Sequence, residues 1–132
     1  MRFAHVLTQE VLYAEMPTAV RQRLHARVAE ALSPSDGVDA LAHHLREAAP
    51  LLGPEPAVRA TLQAARQADR QLAYEHAADQ FRAALALIGG AGTAERAAIL
   101  LELARCEVRS GAVDAAWRSC QALPRCWATP VK

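Results

Sequence analysis

The sequence predicts an all-α protein built of antiparallel helical hairpins. Three observations predict it. About a quarter of the 132 residues are alanine, the strongest helix former. Only 5% are aromatic, a thin supply for a β-sandwich. Apolar residues recur at helical spacing along most of the chain, broken by short stretches rich in Pro and Gly.

Each element follows from this spacing. Phe3, Leu7, Val11 and Ala14 share one face of a helix from Phe3 to Glu15. Pro17 interrupts the pattern and suits the start of a second helix, Thr18 to Leu32. Val20, Leu24, Val28, Ala31 and Leu32 read as its inward face, with Arg21, Arg23, His25 and Arg27 outward. Ser33 to Gly37 is a turn, and Asp36 is an expected N-cap for a third helix, Val38 to Ala49. The buried stripe of that helix is Val38, Leu41, Ala42, Leu45 and Ala48. Pro50 to Pro56, with three prolines and a glycine, reads as a linker.

A fourth helix, Ala57 to Gln71, carries Val58, Leu62, Ala65, Ala68 and Leu72 toward its partner. A fifth runs from Leu72 to Ile88. Its stripe of Tyr74, Ala77, Ala78, Phe81, Ala84, Leu85 and Ile88 mixes small and large residues. The alanines admit a neighbouring helix and Phe81 fills the space between them. Gly89 to Gly92 is a loop. Thr93 opens a sixth helix to Ser110, Gly111 makes a turn, and Val113 to Leu123 is a seventh helix stopped by Pro124. The last four helices read as two copies of a tetratricopeptide-like unit. Tyr74, Ala77, Phe81 and Ala84 meet its pattern, and Leu103, Ala104, Gly111, Val113, Ala116, Cys120 and Leu123 stand at matching positions. Glu107 departs from it, standing where the pattern prefers an aromatic. The expected organisation is a short segment at 1–36, a helical array at 37–123 and an irregular tail at 124–132.

Composition narrows the function classes. A net charge of +1 supplies no global field toward nucleic acid or an anionic membrane. Lys132 is the only lysine. Three cysteines, Cys106, Cys120 and Cys126, make no disulfide framework. No apolar run approaches the roughly 20 residues of a membrane helix. A reduced, cytoplasmic setting is the expectation. The chain enters helical pattern at once and leaves it in an aperiodic tail, as a piece of a longer protein would.

Candidate sites are few. Gly89 to Gly92 lacks the Lys-Ser/Thr of a P-loop and follows a helix, so phosphate binding is not expected. Asp39, His43 and Glu47 have ligand-compatible spacing, but their face is expected to be solvated, and HHLRE is not the HExxH of zinc peptidases. His44 is expected to pack at the edge of the stripe. Cys106 and Cys120 read as small core residues. The arginines of the second helix are ordinary for an Arg-rich chain, and direct nucleic-acid contact is not expected. No catalytic constellation or metal site is expected, and no enzyme activity.

The first third carries a family resemblance. Phe3, His5 and Leu7, then Glu10, Leu12 and Tyr13, Pro17, Arg21 or Arg23, Leu24, His25, Ala29 and Leu32, followed by Ala42 to Leu45, resemble the segment after the ATPase core in MalT-like and LuxR-type transcriptional regulators of the STAND class. The resemblance covers roughly residues 2 to 123. It implies that 1–36 is the end of a winged-helix subdomain and that helical repeats follow. It also implies that His5 aligns with a histidine that contacts the β-phosphate of ADP in related ATPases, and so reports nucleotide state. As a residue of the segment's core, His5 would instead cap or pack it. Gln9 replaces the family's usual Arg and removes a charge.

The chain has no Walker A, no acidic Walker B strand and no C-terminal helix-turn-helix, so ATP and ADP are cofactors implied for the parent family alone. The expected function is a non-catalytic interaction segment of an ATP-dependent bacterial regulator. Its partners would be its own neighbouring ATPase domain, another protein or an inducer. A free-standing tetratricopeptide adaptor and a small helix-turn-helix DNA binder are the alternatives.

Overall fold

The computed structural model describes residues 2–90 and 93–123, the side chains of residues 2–5, 34 and 93 excepted. Among the described residues the protein is an all-α helical array without strands. The elements are α1 (Arg2–Glu15), α2 (Thr18–Ala31), a 3-10 turn at Pro34–Asp36, α3 (Val38–Glu47), α4 (Ala49–Leu52), α5 (Pro54–Arg70), α6 (Tyr74–Ile88), α7 (Thr93–Arg109) and α8 (Val113–Gln121). No helix is long and apolar enough to cross a membrane among the described residues.

The centre of the array is α5. Its alanines and small residues are buried on two faces at once. Ala60 and Ala64 meet Val38 and Ala42 of α3, with Leu41 and Leu45 alongside. Val58, Leu62, Ala65 and Ala68 meet Ala77, Ala78, Phe81 and Ala84 of α6. Phe81 is fully buried and lies in the same cluster as Ile99, Leu103 and Cys106 of α7. Packing then passes from α6 to α7 and from α7 to α8. The stripes expected for α3, α5 and α6 are the buried ones, apart from Leu72.

Leu72 belongs to no helix. It is 69% exposed and sits at φ +64° in the turn after α5. Its amide donates to the Asp69 carbonyl (3.0 Å), and the Ala73 amide donates to the Ala68 carbonyl (2.9 Å). This is a Schellman closure with leucine at the left-handed position. The turn after α7 repeats it 39 residues later. Gly111, at φ +88°, donates to the Val108 carbonyl (3.1 Å), and Ala112 to the Glu107 carbonyl (2.8 Å). The caps that follow match as well: Ala73 at φ −87°, ψ 66° and Ala112 at φ −84°, ψ 62°.

The prolines expected to form a linker start helices instead. Pro50 occupies the first turn of α4, and Pro54 and Pro56 the first turn of α5. No intrahelical N–H bond is available to those positions, so proline loses nothing there. Gly53, at φ +86°, makes the bend between the two helices. Asp36 caps the 3-10 turn rather than α3, accepting bonds from the amide (2.9 Å) and hydroxyl (2.9 Å) of Ser33. Those bonds, the backbone one first, lower its pKa.

Polar side chains tie the helices together. Buried Glu107 of α7 accepts from Arg82 Nη2 (2.9 Å) and Ser119 Oγ (2.8 Å), so the residue that broke the repeat pattern holds α6 and α8 to α7. Arg46 of α3 donates to Gln80 Oε1 (2.8 Å) and to Thr61 Oγ1 (3.3 Å). Asp69 accepts from Arg105 (3.1 Å) and Arg109 (3.5 Å). Arg96 caps the C-terminus of α6 at the Gly89 carbonyl (2.7 Å).

Three outcomes follow. In chemical denaturation Leu72→Gly should raise stability by up to about 1 kcal/mol, because relief of the left-handed strain outweighs the added freedom of the unfolded chain, and Gly111→Ala should lower it by about 1 kcal/mol. Ala65→Leu should cost about 1–3 kcal/mol by the same measurement, since Ala65 is fully buried in the cluster that joins α5 to α6.

Candidate functional site

The densest grouping of chemistry-bearing side chains lies where α1, α2 and α3 meet. Helix α2 buries the face carrying His25 and Ala29 against α3 and α4. This corrects the expected orientation: Val20, Leu24 and Val28 are exposed, and His25, expected outward with the arginines, is inward. Small Ala29 and flat His25 let α2 approach α3 more closely than a leucine face would.

His43 and His44 stand side by side on α3, and both turn toward His25. One ring nitrogen of each lies within 4.8 Å of the others. His25 Nδ1 and His44 Nδ1 share a hydrogen bond of 2.8 Å. The His43 ring stands edge-on to His25, with centroids 5.6 Å apart. His25 is buried, His44 half-buried and His43 exposed. On the far side of His25, Tyr13 Oη lies 2.8 Å from Nε2, and the Arg21 guanidinium stacks 5.1 Å over the Tyr13 ring. Burial lowers the pKa of His25; His43 and Arg21 act in the same direction and Glu47 opposes them. Burial likewise lowers that of His44, with His25 and His43 adding to it and Glu47 again opposing.

The residues singled out in the sequence fall elsewhere or only partly here. The side chain of His5 lies outside the described residues, as do Ala91, Gly92 and the tail with Cys126. His43 is exposed as expected. Asp39 does not join it; its carboxylate pairs with His76 Nε2 of α6 at 3.1 Å. Cys106 is fully buried, as expected of a core residue, and burial beside Asp69 pushes its thiol up to about 11, which keeps it protonated and inert. Cys120 is exposed, contrary to its expected core position, because α8 buries Ala116 and leaves Val113, Trp117 and Cys120 outward.

His25 is the site residue that the sequence did not reveal. Its heptad-like neighbours Leu24 and Val28 drew the inward face toward themselves. The signal for it is the spacing of His25 and Ala29, a flat and a small residue four positions apart on the same helix. No protein-family model, curated protein or solved structure matches this chain.

Protonation of this cluster is linked to folding. His25 and His44 bind protons more weakly folded than unfolded, where the ordinary imidazole value is 6.5. Their contribution to stability is therefore complete above that value and is lost as pH falls through the lowered folded values. In chelator-treated samples the thermal midpoint should fall between pH 7 and pH 5, and His44→Asn should flatten that slope.

Proposed function

We propose that this chain is a non-catalytic interaction segment of an ATP-dependent bacterial transcriptional regulator. In this reading α1 and α2 dock on the regulator's ATPase domain, and the tetratricopeptide-type array receives a partner protein or inducer. The observation that carries the reading is the apolar surface of the first two helices. Val6, Leu7, Val11 and Leu12 of α1, with Val20, Leu24 and Val28 of α2, are between 37% and 59% exposed. Helix α1 packs extensively on no other described helix and is tied to α2 through Tyr13. Keeping so many large apolar side chains in water costs roughly 25 cal/mol for every Å². Clustered exposure of this kind marks an interaction site.

The array supports the second half of the reading. The matching turns at Leu72 and Gly111, and the Tyr74, Ala77, Phe81, Ala84 series between helices, suit a repeat that stacks neighbours side by side. A free-standing adaptor is the second reading. It is favoured by an open cavity of about 430 Å³ between α5 and the α6–α7 junction, lined by Val58, Arg59, Leu87, Ile88 and Glu95, large enough for part of a peptide.

A free-standing adaptor would present a polar first helix, so the two readings part at α1. The double substitution Leu7→Glu, Leu24→Glu should leave the circular dichroism and thermal midpoint nearly unchanged while cutting fluorescence of a surface-apolar dye several-fold. Loss of the folded state would instead make these residues part of the chain's own core and overturn the docking role. The nucleotides upstream of the Met1 codon, read in all frames, should encode a P-loop; their failure to do so favours the adaptor.

A further inference from the structure

We propose that His25, His43 and His44 bind one Zn²⁺ ion, which clamps α2 to α3 and leaves a coordination position open to solvent.

Zinc bound by imidazoles takes a tetrahedral arrangement at about 2.0–2.1 Å, so its ligand nitrogens lie about 3.3–3.4 Å apart. The three histidines already bracket that spacing. His25 Nδ1 and His44 Nδ1 are 2.8 Å apart and need open by only about half an ångström to reach the tetrahedral spacing. One ring nitrogen of each of the three histidines lies within 4.8 Å of the others. The remaining closure falls to His43, whose ring is exposed and so has room to turn.

A packing role accounts for His25 and His44, which are bonded to each other. It leaves His43 unexplained. Its ring is exposed, yet it leans toward the other two rather than extending into water.

The remote side of His25 is arranged as a metal-ligating histidine requires. A ligating ring donates its other N–H to a fixed acceptor, which sets the tautomer and the ring plane. Tyr13 Oη stands 2.8 Å from Nε2, so His25 ligates through Nδ1 and donates from Nε2. The proton balance is simple. In the metal-free pair one Nδ1 carries the shared hydrogen; on binding, that ring shifts its proton to Nε2, and both Nδ1 lone pairs meet the ion. Glu47 places negative charge within reach of His25 and His44 and offsets the positive charge of Arg21.

The donor set selects the metal. Neutral imidazoles suit zinc and its first-row neighbours, while Mg²⁺ and Ca²⁺ demand oxygen. Because His43 is exposed, the fourth position faces solvent and takes water. The ligands come from two helices, so the ion fastens α2, and with it the exposed apolar residues of α2, to the rest of the array.

The test uses the full chain, stripped with a chelator and titrated with ZnCl₂ by calorimetry, with Co²⁺ as the optical probe of coordination. One Zn²⁺ per chain should bind, the thermal midpoint should rise with zinc and not with Mg²⁺, and Co²⁺ should give the strong visible absorption of a four-coordinate site. His43→Ala, at an exposed position that circular dichroism should show to be folded, should weaken binding at least tenfold; His76→Ala should not. Absence of stoichiometric binding overturns the proposal. So does zinc affinity that survives His43→Ala and His44→Ala unchanged, which would locate the ion at other residues.

Discussion

Everything else in this protein depends on the double burial of α5. A helix in a small protein ordinarily hides one stripe and shows the rest to water. Here Ala60 and Ala64 face α3 while Val58, Leu62, Ala65 and Ala68 face α6. That is affordable only because most of these side chains are methyl groups, which lose no rotamer freedom on burial. The gain from any one of them is small. The gain from bringing two helices close along their length is large, since every atom in the interface then has a neighbour at van der Waals distance.

Thin contacts of this kind leave little room for error in orientation, and polar groups supply the orientation. Thr61 and Gln80 are buried but bonded to Arg46, so α3, α5 and α6 are joined by one guanidinium. Glu107 does the same for α6, α7 and α8 through Arg82 and Ser119. Such groups are costly when left unpaired, and no buried side-chain nitrogen or oxygen lacks a partner among the described residues. The carboxylate that spoils the repeat pattern in the sequence is therefore a specificity device in the fold.

The legibility of the sequence follows the same division. In α3, α5 and α6 the apolar period and the buried stripe coincide, because each of these helices packs on another within the chain. The period misleads on α2, where burial is achieved by small and flat residues. Val20, Leu24 and Val28 have the hydrophobicity of a core face and lie in water, while His25 and Ala29 are inside. The prolines from Pro50 to Pro56 suggest a linker because proline breaks helix interiors, although at a first turn they have no bond to break. Leu72 took a place in the stripe by type, and only the hydrogen bonds of the turn place it at a left-handed position. The histidine cluster was half legible. His43 and His44 are adjacent in sequence, but His25 reaches them through a helix rotation that hydrophobicity does not encode.

The paired turns at Leu72 and Gly111 have a consequence for how the chain could change over time. Because both hairpins close with the same bonds, the register within each is fixed locally. The 39-residue offset can therefore lengthen or shorten at the α6–α7 connection without disturbing either closure. An insertion in either turn would break its pair of closing bonds, whereas one between the two hairpins would leave both closures in place, so a helical pair could be duplicated, exchanged or joined to another as a unit.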